Sequence, residues 1–212
     1  LQAVAHAALA FTPAVALHDA RTVVLDVHAS LRLFGGLAAL HRRLAAALAP
    51  LRHHVQVAAA PTAQGAALLA QWHPADRGDL VLGAHAQRLP ALQQLLGDAP
   101  VALLAAAGRE PGEALQGMGL HTLADLRALP RAGLARRFGA ALLDEIDRAF
   151  GRQPDPRAEP SRAVAPGGGT LQQVRHRLPG AVLAEGATGK IPGRPAVAFA
   201  LPWAGIAEPE AP

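Results

Sequence analysis

The chain is poor in several residue types, and each shortage excludes a class of structure. It has no cysteine, which excludes disulfide frameworks and zinc sites with thiolate ligands. Aromatic residues make up only 3% of its 212 residues, so leucine, valine and alanine must build the core. Lys190 is the only lysine, and arginine therefore carries the net charge of +4. No apolar run reaches the length of a membrane span, because His, Arg or Pro interrupts each one.

The composition gives a first indication of compartment and partner. The absence of cysteine fits a cytoplasmic protein, and the N-terminus lacks the basic start of a secretion signal. Because the first residue is Leu1 rather than Met, we expect the chain to begin inside a longer gene product. Arginine binds phosphate in a bidentate manner, which suggests nucleic acid as a partner. Richness in Arg and Ala is also what a GC-rich genome produces, and charge alone favours that explanation.

The first hundred residues alternate between strand and helix patterns. Residues 22–27 are apolar and rich in β-branched side chains, which predicts a strand buried on both faces. Leucines recur at helical spacing over 37–51, and apolar residues alternate over 55–59. Thr62 predicts the N-cap of the next helix. The order strand, helix, strand, helix indicates an α/β domain, which we assign to residues 1–107.

The remaining sequence divides into a helical module and a tail. Residues 108–153 predict short helices, with a tight turn at Gly117-Met118-Gly119 and Gly151 at the C′ position of the last helix. From residue 154 onward, proline and glycine are frequent and no periodicity is sustained. We therefore predict a small all-α domain followed, over 154–212, by a linker and a poorly ordered tail.

Candidate DNA-binding residues lie in the helical module. The glycine turn resembles a helix–hairpin–helix, whose backbone N–H groups bind phosphate, although an ordinary αα-corner has the same pattern. Arginines cluster around the next turn and predict a phosphate track: Arg127, Arg131, Arg136 and Arg137. A solvated helix face balanced by acidic neighbours is an equal alternative, and those neighbours are Asp144, Glu145 and Asp147. The residues selected as candidate DNA contacts are Gly117, Gly119, Arg131, Arg136 and Arg137.

Three blocks of the sequence together resemble a known family. Leu31-Arg32-Leu33-Phe34-Gly35-Gly36 follows the first predicted strand, residues 119–139 form the middle of the helical module, and residues 147–156 close it. Their order and spacing resemble Y-family DNA polymerases, specifically the ImuB-like branch, over roughly residues 1–157. The resemblance implies that the α/β part is a palm fragment and that the helical module is a thumb. The tail shows no resemblance.

The sequence departs from active members of that family in the acidic motif. Aligning Leu25-Asp26-Val27 with the family pattern puts Arg21 and Thr22 where active polymerases carry an adjacent Asp-Glu pair. The family's opening strand, with its first metal-binding carboxylate, is expected upstream of Leu1. Nucleotidyl transfer needs two divalent metals held by converging carboxylates, and Asp19 alone does not supply them. The resemblance thus implies no catalytic or metal site, and Asp26 is predicted to have a structural role at the strand end.

The resemblance implies a non-catalytic protein that supports translesion synthesis, DNA repair and mutagenesis in the SOS response. Its implied partners are DNA, the sliding clamp, a RecA-like accessory protein and a separate error-prone polymerase, with no membrane. One alternative is an active translesion polymerase whose carboxylates are missing from this chain, and only that alternative requires Mg²⁺. Another is a truncated fragment without independent function, because the family's little-finger domain is not recognisable after Pro156.

Overall fold

Helices and short strands alternate along the part of the chain that the structure, a computed structural model, describes: residues 1–52, 55–72, 80–154 and 196–200. The strands are β1 (Val15–Leu17), β2 (Thr22–Asp26), β3 (Gln56–Ala60) and β4 (Ala196–Ala200). The α-helices are α1 (Gln2–Ala8), α2 (Leu31–Phe34), α3 (Leu37–Leu48), α4 (Ala63–Trp72), α5 (Leu89–Gly97), α6 (Arg109–Gly117), α7 (Leu123–Ala128), α8 (Arg131–Phe138) and α9 (Ala140–Ala149). The 3-10 turns are Ala49–Leu51, Ala84–Ala86, Val101–Leu103 and Ala105–Ala107. None of these helices is both long enough and apolar enough to cross a membrane.

A strand from the C-terminal region occupies a central position in the sheet. The strand order is β1-β2-β4-β3, and β4 runs antiparallel to both of its neighbours. Ala198, in the middle of β4, lies opposite Val24 on one side and Ala58 on the other. Since β2 and β3 each pair with β4 in the antiparallel sense, they run in the same direction without touching.

The strand β4 differs from the sequence-based expectation of a poorly ordered tail. For residues 196–200 that expectation is wrong, because a strand buried on both faces has no polar alternation to reveal it. The run Ala196-Val197-Ala198-Phe199-Ala200 is apolar throughout and is bounded in the sequence by Pro195 and Pro202. The rest of the predicted tail, 155–195 and 201–212, lies outside the described residues.

The sheet separates two apolar clusters, as the alternation of strand side chains requires. Val23 and Leu25 of β2 pack into the cluster that also holds α1 and the leucines of α3. Val24, between them, belongs to the opposite cluster, together with the buried side chains of α4. The leucines at positions 37, 40, 44 and 48 are all buried, so the helical spacing in the sequence reports the face of α3 that covers the sheet.

The helical module shares its core with the α/β part. The cluster on the α4 face continues into α6, α7, α8 and α9 through Leu115, Leu126, Leu134 and Phe150, among others. Hydrogen bonds cross the same boundary: the Thr62 hydroxyl donates to the Ala149 carbonyl oxygen at 2.9 Å. The division near residue 107 stays a prediction, and apolar packing is continuous across it.

Candidate nucleic-acid interface

The predicted hairpin lies between α6 and α7, and its backbone N–H groups are already hydrogen-bonded. Gly119 has φ of 78°, a left-handed conformation that favours glycine, and its N–H donates to the Gln116 carbonyl oxygen at 2.9 Å. The N–H of Met118 donates to Ala114 and Leu115, and the N–H of Leu120 also donates to Leu115. A phosphate at Gly117 or Gly119 would therefore compete with acceptors inside the turn.

The carboxylate of Asp125 accepts backbone hydrogen bonds at the start of α7. Thr122 is the N-cap, and its hydroxyl oxygen accepts from the N–H of Asp125 at 3.2 Å. The Asp125 carboxylate accepts in return from the N–H groups of His121 and Thr122, at 3.0 and 2.9 Å. In this capping box, the N–H groups of His121, Thr122 and Asp125 are therefore hydrogen-bonded within the chain and are not available to a phosphate. These hydrogen bonds limit the contribution that the hairpin can make to DNA binding. DNA contact through its backbone amides stays a prediction.

The capping box makes a prediction about pH. Hydrogen bonds from the backbone and hydroxyl of Thr122, followed by the N–H of His121, lower the pKa of Asp125 from its ordinary 3.8. A lowered pKa in the folded state contributes stability above the unfolded pKa and loses it as pH falls through the folded value. We expect Asp125→Asn to lower the melting temperature at pH 7, and the difference from the unaltered chain to shrink below pH 3.8. Thermal melts of both chains across pH test this, and an unchanged difference would contradict it.

Arg131 lies at the start of α8 and is paired with a buried carboxylate. Its Nη1 donates to Asp147 Oδ1 at 3.0 Å, and its Nη2 donates to Oδ2. The Asp147 side chain is only 6% exposed, whereas that of Arg131 is 50% exposed. For Arg131, the alternative that an acidic neighbour balances its charge therefore holds. The acidic residues Asp147 and Glu145 are buried, however, rather than on a solvated face. Arg131 has less charge to offer a phosphate than its sequence context suggested.

Arg136 and Arg137 lie in the last turn of α8, where both are exposed. The Arg137 guanidinium carbon lies 5.6 Å from the centre of the Phe138 ring. Neither arginine forms an ion pair with another residue in the described ranges. Of the five candidates selected from the sequence, these two are the ones whose charge the fold leaves available.

Just beyond the end of α9, Arg152 lies close to Arg131. Arg152 was not among the site residues identified from the sequence. Gly151 has φ of 73° and ends the helix at the predicted C′ position. Its N–H donates to Arg148, and the N–H of Arg152 donates to the Asp147 carbonyl oxygen at 2.7 Å, which completes a Schellman motif. The chain reversal places Arg152 Nη1 3.9 Å from Asp147 Oδ1. In the sequence, only the pair Gly151-Arg152 after an amphipathic helix indicates that Arg152 lies here.

The residues at the position of the missing acidic pair form hydrogen bonds with Asp19 and do not supply ligands for a metal ion. Thr22 is buried at the start of β2, and Asp19 accepts from the N–H of Arg21 at 2.7 Å and from Gln71 Nε2 at 2.7 Å. Asp26, at the strand end, accepts from the N–H of His28 at 3.0 Å, a hydrogen bond consistent with its structural role, which stays a prediction. Within the described residues there is no group of three or more His, Asp or Glu side chains arranged to hold a metal ion.

No protein-family model matches the chain, and no solved structure matches it. The chain is similar to Protein ImuB of Caulobacter vibrioides, in strains NA1000 and ATCC 19089, with 34% identity over 151 residues. The match covers 71% of this chain and 31% of the relative, so the chain spans about a third of the relatives' length. The chain is thus ImuB-like over most of its own sequence.

Proposed function

We propose that the chain is the palm and thumb portion of a non-catalytic, Y-family polymerase-like protein. It supports translesion synthesis and damage-induced mutagenesis by binding DNA without sequence preference. The ImuB relatives, at 34% identity, support the class of protein. The sliding clamp, a RecA-like accessory protein and a separate error-prone polymerase are its proposed protein partners.

The observation that carries the non-catalytic assignment is the arrangement around Thr22. Metal-dependent nucleotidyl transfer needs carboxylates that converge on two cations. At the position of the acidic pair the chain has Arg21 and a buried Thr22. The neighbouring carboxylate, Asp19, is occupied by hydrogen bonds from Gln71, the Thr22 hydroxyl and the Arg21 N–H. A cation at this place would meet one engaged carboxylate and a guanidinium group.

DNA binding is proposed to occur by contact of exposed arginines with backbone phosphates. Such contacts release counterions, so the logarithm of the binding constant falls linearly with the logarithm of salt concentration, by about 0.9 per phosphate on duplex DNA. Arg136 and Arg137 are exposed side by side at the end of α8 and make no ion pair with a described residue. They are the proposed main contacts of this surface.

The test is binding of the whole chain to a fluorescent primer–template duplex over a salt series. We expect the double variant Arg136→Gln/Arg137→Gln to reduce the salt slope by about two phosphates, because both side chains lose their charge. The matched control is Arg42→Gln/Arg43→Gln, an adjacent pair exposed on α3. Arg43 also lies 5.6 Å from a phenylalanine ring, as Arg137 does, so the two pairs differ mainly in location.

The same samples distinguish the proposal from its alternatives. No binding at low salt would overturn the DNA-binding function, and equal loss in both double variants would place the contact elsewhere. Incubation with Mg²⁺ and deoxynucleotides is expected to give no primer extension. Extension that disappears in Asp19→Asn would establish the active polymerase instead.

A further inference from the structure

A small cleft in the helical module gathers three arginines over an apolar floor. It has a volume of about 40 Å³ and lies among α7, α8 and the end of α9. Its charged wall consists of Arg127, Arg131 and Arg152, and its floor includes Leu126, Leu134 and Ile146. We call it the arginine cleft. The three arginines come from separate elements, so the fold rather than the local sequence creates this concentration of positive charge.

The charges of the arginine cleft do not balance. Asp147 forms a bidentate ion pair with Arg131. The distance from Arg152 Nη1 to Asp147 Oδ1 is longer, at 3.9 Å. Arg127 makes no ion pair with a described residue, and its guanidinium carbon lies 4.2 Å from the centre of the Phe150 ring. The other acidic side chain nearby, Asp144, accepts a hydrogen bond from Gln153. Arg127 therefore has no ion-pair partner among the described residues, and Arg152 shares the single carboxylate of Asp147 with Arg131.

The positive charges of Arg127 and Arg152 repel each other in the arginine cleft. Burial, and then the charge of Arg152, lower the pKa of Arg127, so its cationic form is disfavoured where it lies. The guanidinium group of Arg127 makes a cation–π contact with the Phe150 ring, which favours its position in the cleft. An anion between Arg127 and Arg152 would remove their mutual repulsion. A phosphate suits the fork of donors on each side.

We propose that the arginine cleft binds one backbone phosphate of a nucleic-acid strand, with Arg127 and Arg152 as the contact residues. This inference rests on the proposed function and adds a contact that lies apart from Arg136 and Arg137. The cleft has room for about one water molecule, so a base or nucleoside does not enter it and the phosphate lies at its mouth. Arg131 also lines the cleft, and its ion pair with Asp147 makes it a positioning residue rather than a contact residue.

The first experiment measures binding of primer–template DNA to the whole chain and to Arg127→Gln/Arg152→Gln. We expect a loss of affinity of at least about tenfold and a smaller salt slope, because hydrogen bonds to charged groups are lost. The control Arg42→Gln/Arg43→Gln carries the same change in charge on α3 and is expected to change affinity less. If the two double variants bind equally well, the inference is overturned while the DNA-binding function stands.

The second experiment uses the unaltered chain, so it does not depend on how the variants fold. Arginine Nε–Hε NMR signals are followed during titration with DNA and, separately, with a polyglutamate peptide. Shifts of Arg127 and Arg152 with DNA, absent for Arg42, support the proposal. Shifts with the peptide alone indicate that the cleft binds protein carboxylates and overturn it. No binding to DNA at all would overturn both the inference and the proposed function.

Discussion

Replacing Ala198 by aspartate is expected to abolish the cooperative unfolding transition of the chain. Ala198 is fully buried, and both edges of its strand are paired, opposite Val24 and Ala58. A carboxylate there has no cation or donor to satisfy it, and burying it costs several kcal/mol in practice. The free energy of unfolding of a domain is only about 5–15 kcal/mol, so this single substitution removes much of it. Circular dichroism melts of the whole chain measure the effect.

The matched control for Ala198→Asp is the same substitution at Ala46. Ala46 is exposed in the last turn of α3, where aspartate loses helix propensity, roughly 0.7 kcal/mol, and is disfavoured by the helix dipole by about 0.3–1 kcal/mol. We therefore expect Ala46→Asp to melt within a few degrees of the unaltered chain. If Ala198→Asp melts like Ala46→Asp, residues 196–200 do not form the central strand. A substitution in β4 thus tests the sheet order directly, because β4 is the strand that pairs with both β2 and β3 in the described part of the chain.

The strand β2 and the helix α3 could be predicted from the sequence because their signals are local, whereas β1 and α2 were not predicted. Leucine spacing predicts α3, and the apolar β-branched run at 22–27 agrees with β2 (Thr22–Asp26). In the helical module, Thr122 and Gly151 mark helix ends through their own side chain or backbone conformation. These features depend on residues within one turn of each other, which is the range over which a sequence pattern is informative.

The sheet order and the arginine cleft could not be predicted, since both depend on residues that are distant in the sequence. β4 pairs with β2 across 170 to 178 positions, and five consecutive apolar residues are compatible with several structures. Arg131 and Asp147 are separated by 16 positions and come together only when α8 packs against α9. The sequence does identify Arg136 and Arg137, whose exposure at the end of a helix depends on α8 alone.

A buried carboxylate joins the helical module to the α/β part, and its removal is the second substitution with a large expected effect. Glu145 of α9 is 4% exposed and accepts hydrogen bonds from Gln64 Nε2 at 2.9 Å, from the N–H of Ala105 at 3.1 Å and from the N–H of Ala106 at 2.8 Å. Glu145→Ala leaves these three donors without this acceptor. Each unsatisfied buried donor costs about 1–3 kcal/mol, less whatever a water recovers.

We expect Glu145→Ala to destabilise the chain by about 2–4 kcal/mol, which is roughly 4–16 °C in melting temperature for a chain of this size. The control is Glu110→Ala, an exposed glutamate in the first turn of α6, where the loss is about 0.3–1 kcal/mol. Hydrogen exchange at Ala105 and Ala106 gives a local readout, since both amides should lose protection in Glu145→Ala only. Equal melting temperatures and unchanged protection would mean that the shared apolar core, rather than Glu145, joins the two parts. Proteolysis between residues 97 and 109 would then stay as slow in the variant as in the unaltered chain, whereas loss of the carboxylate anchor should open this segment first.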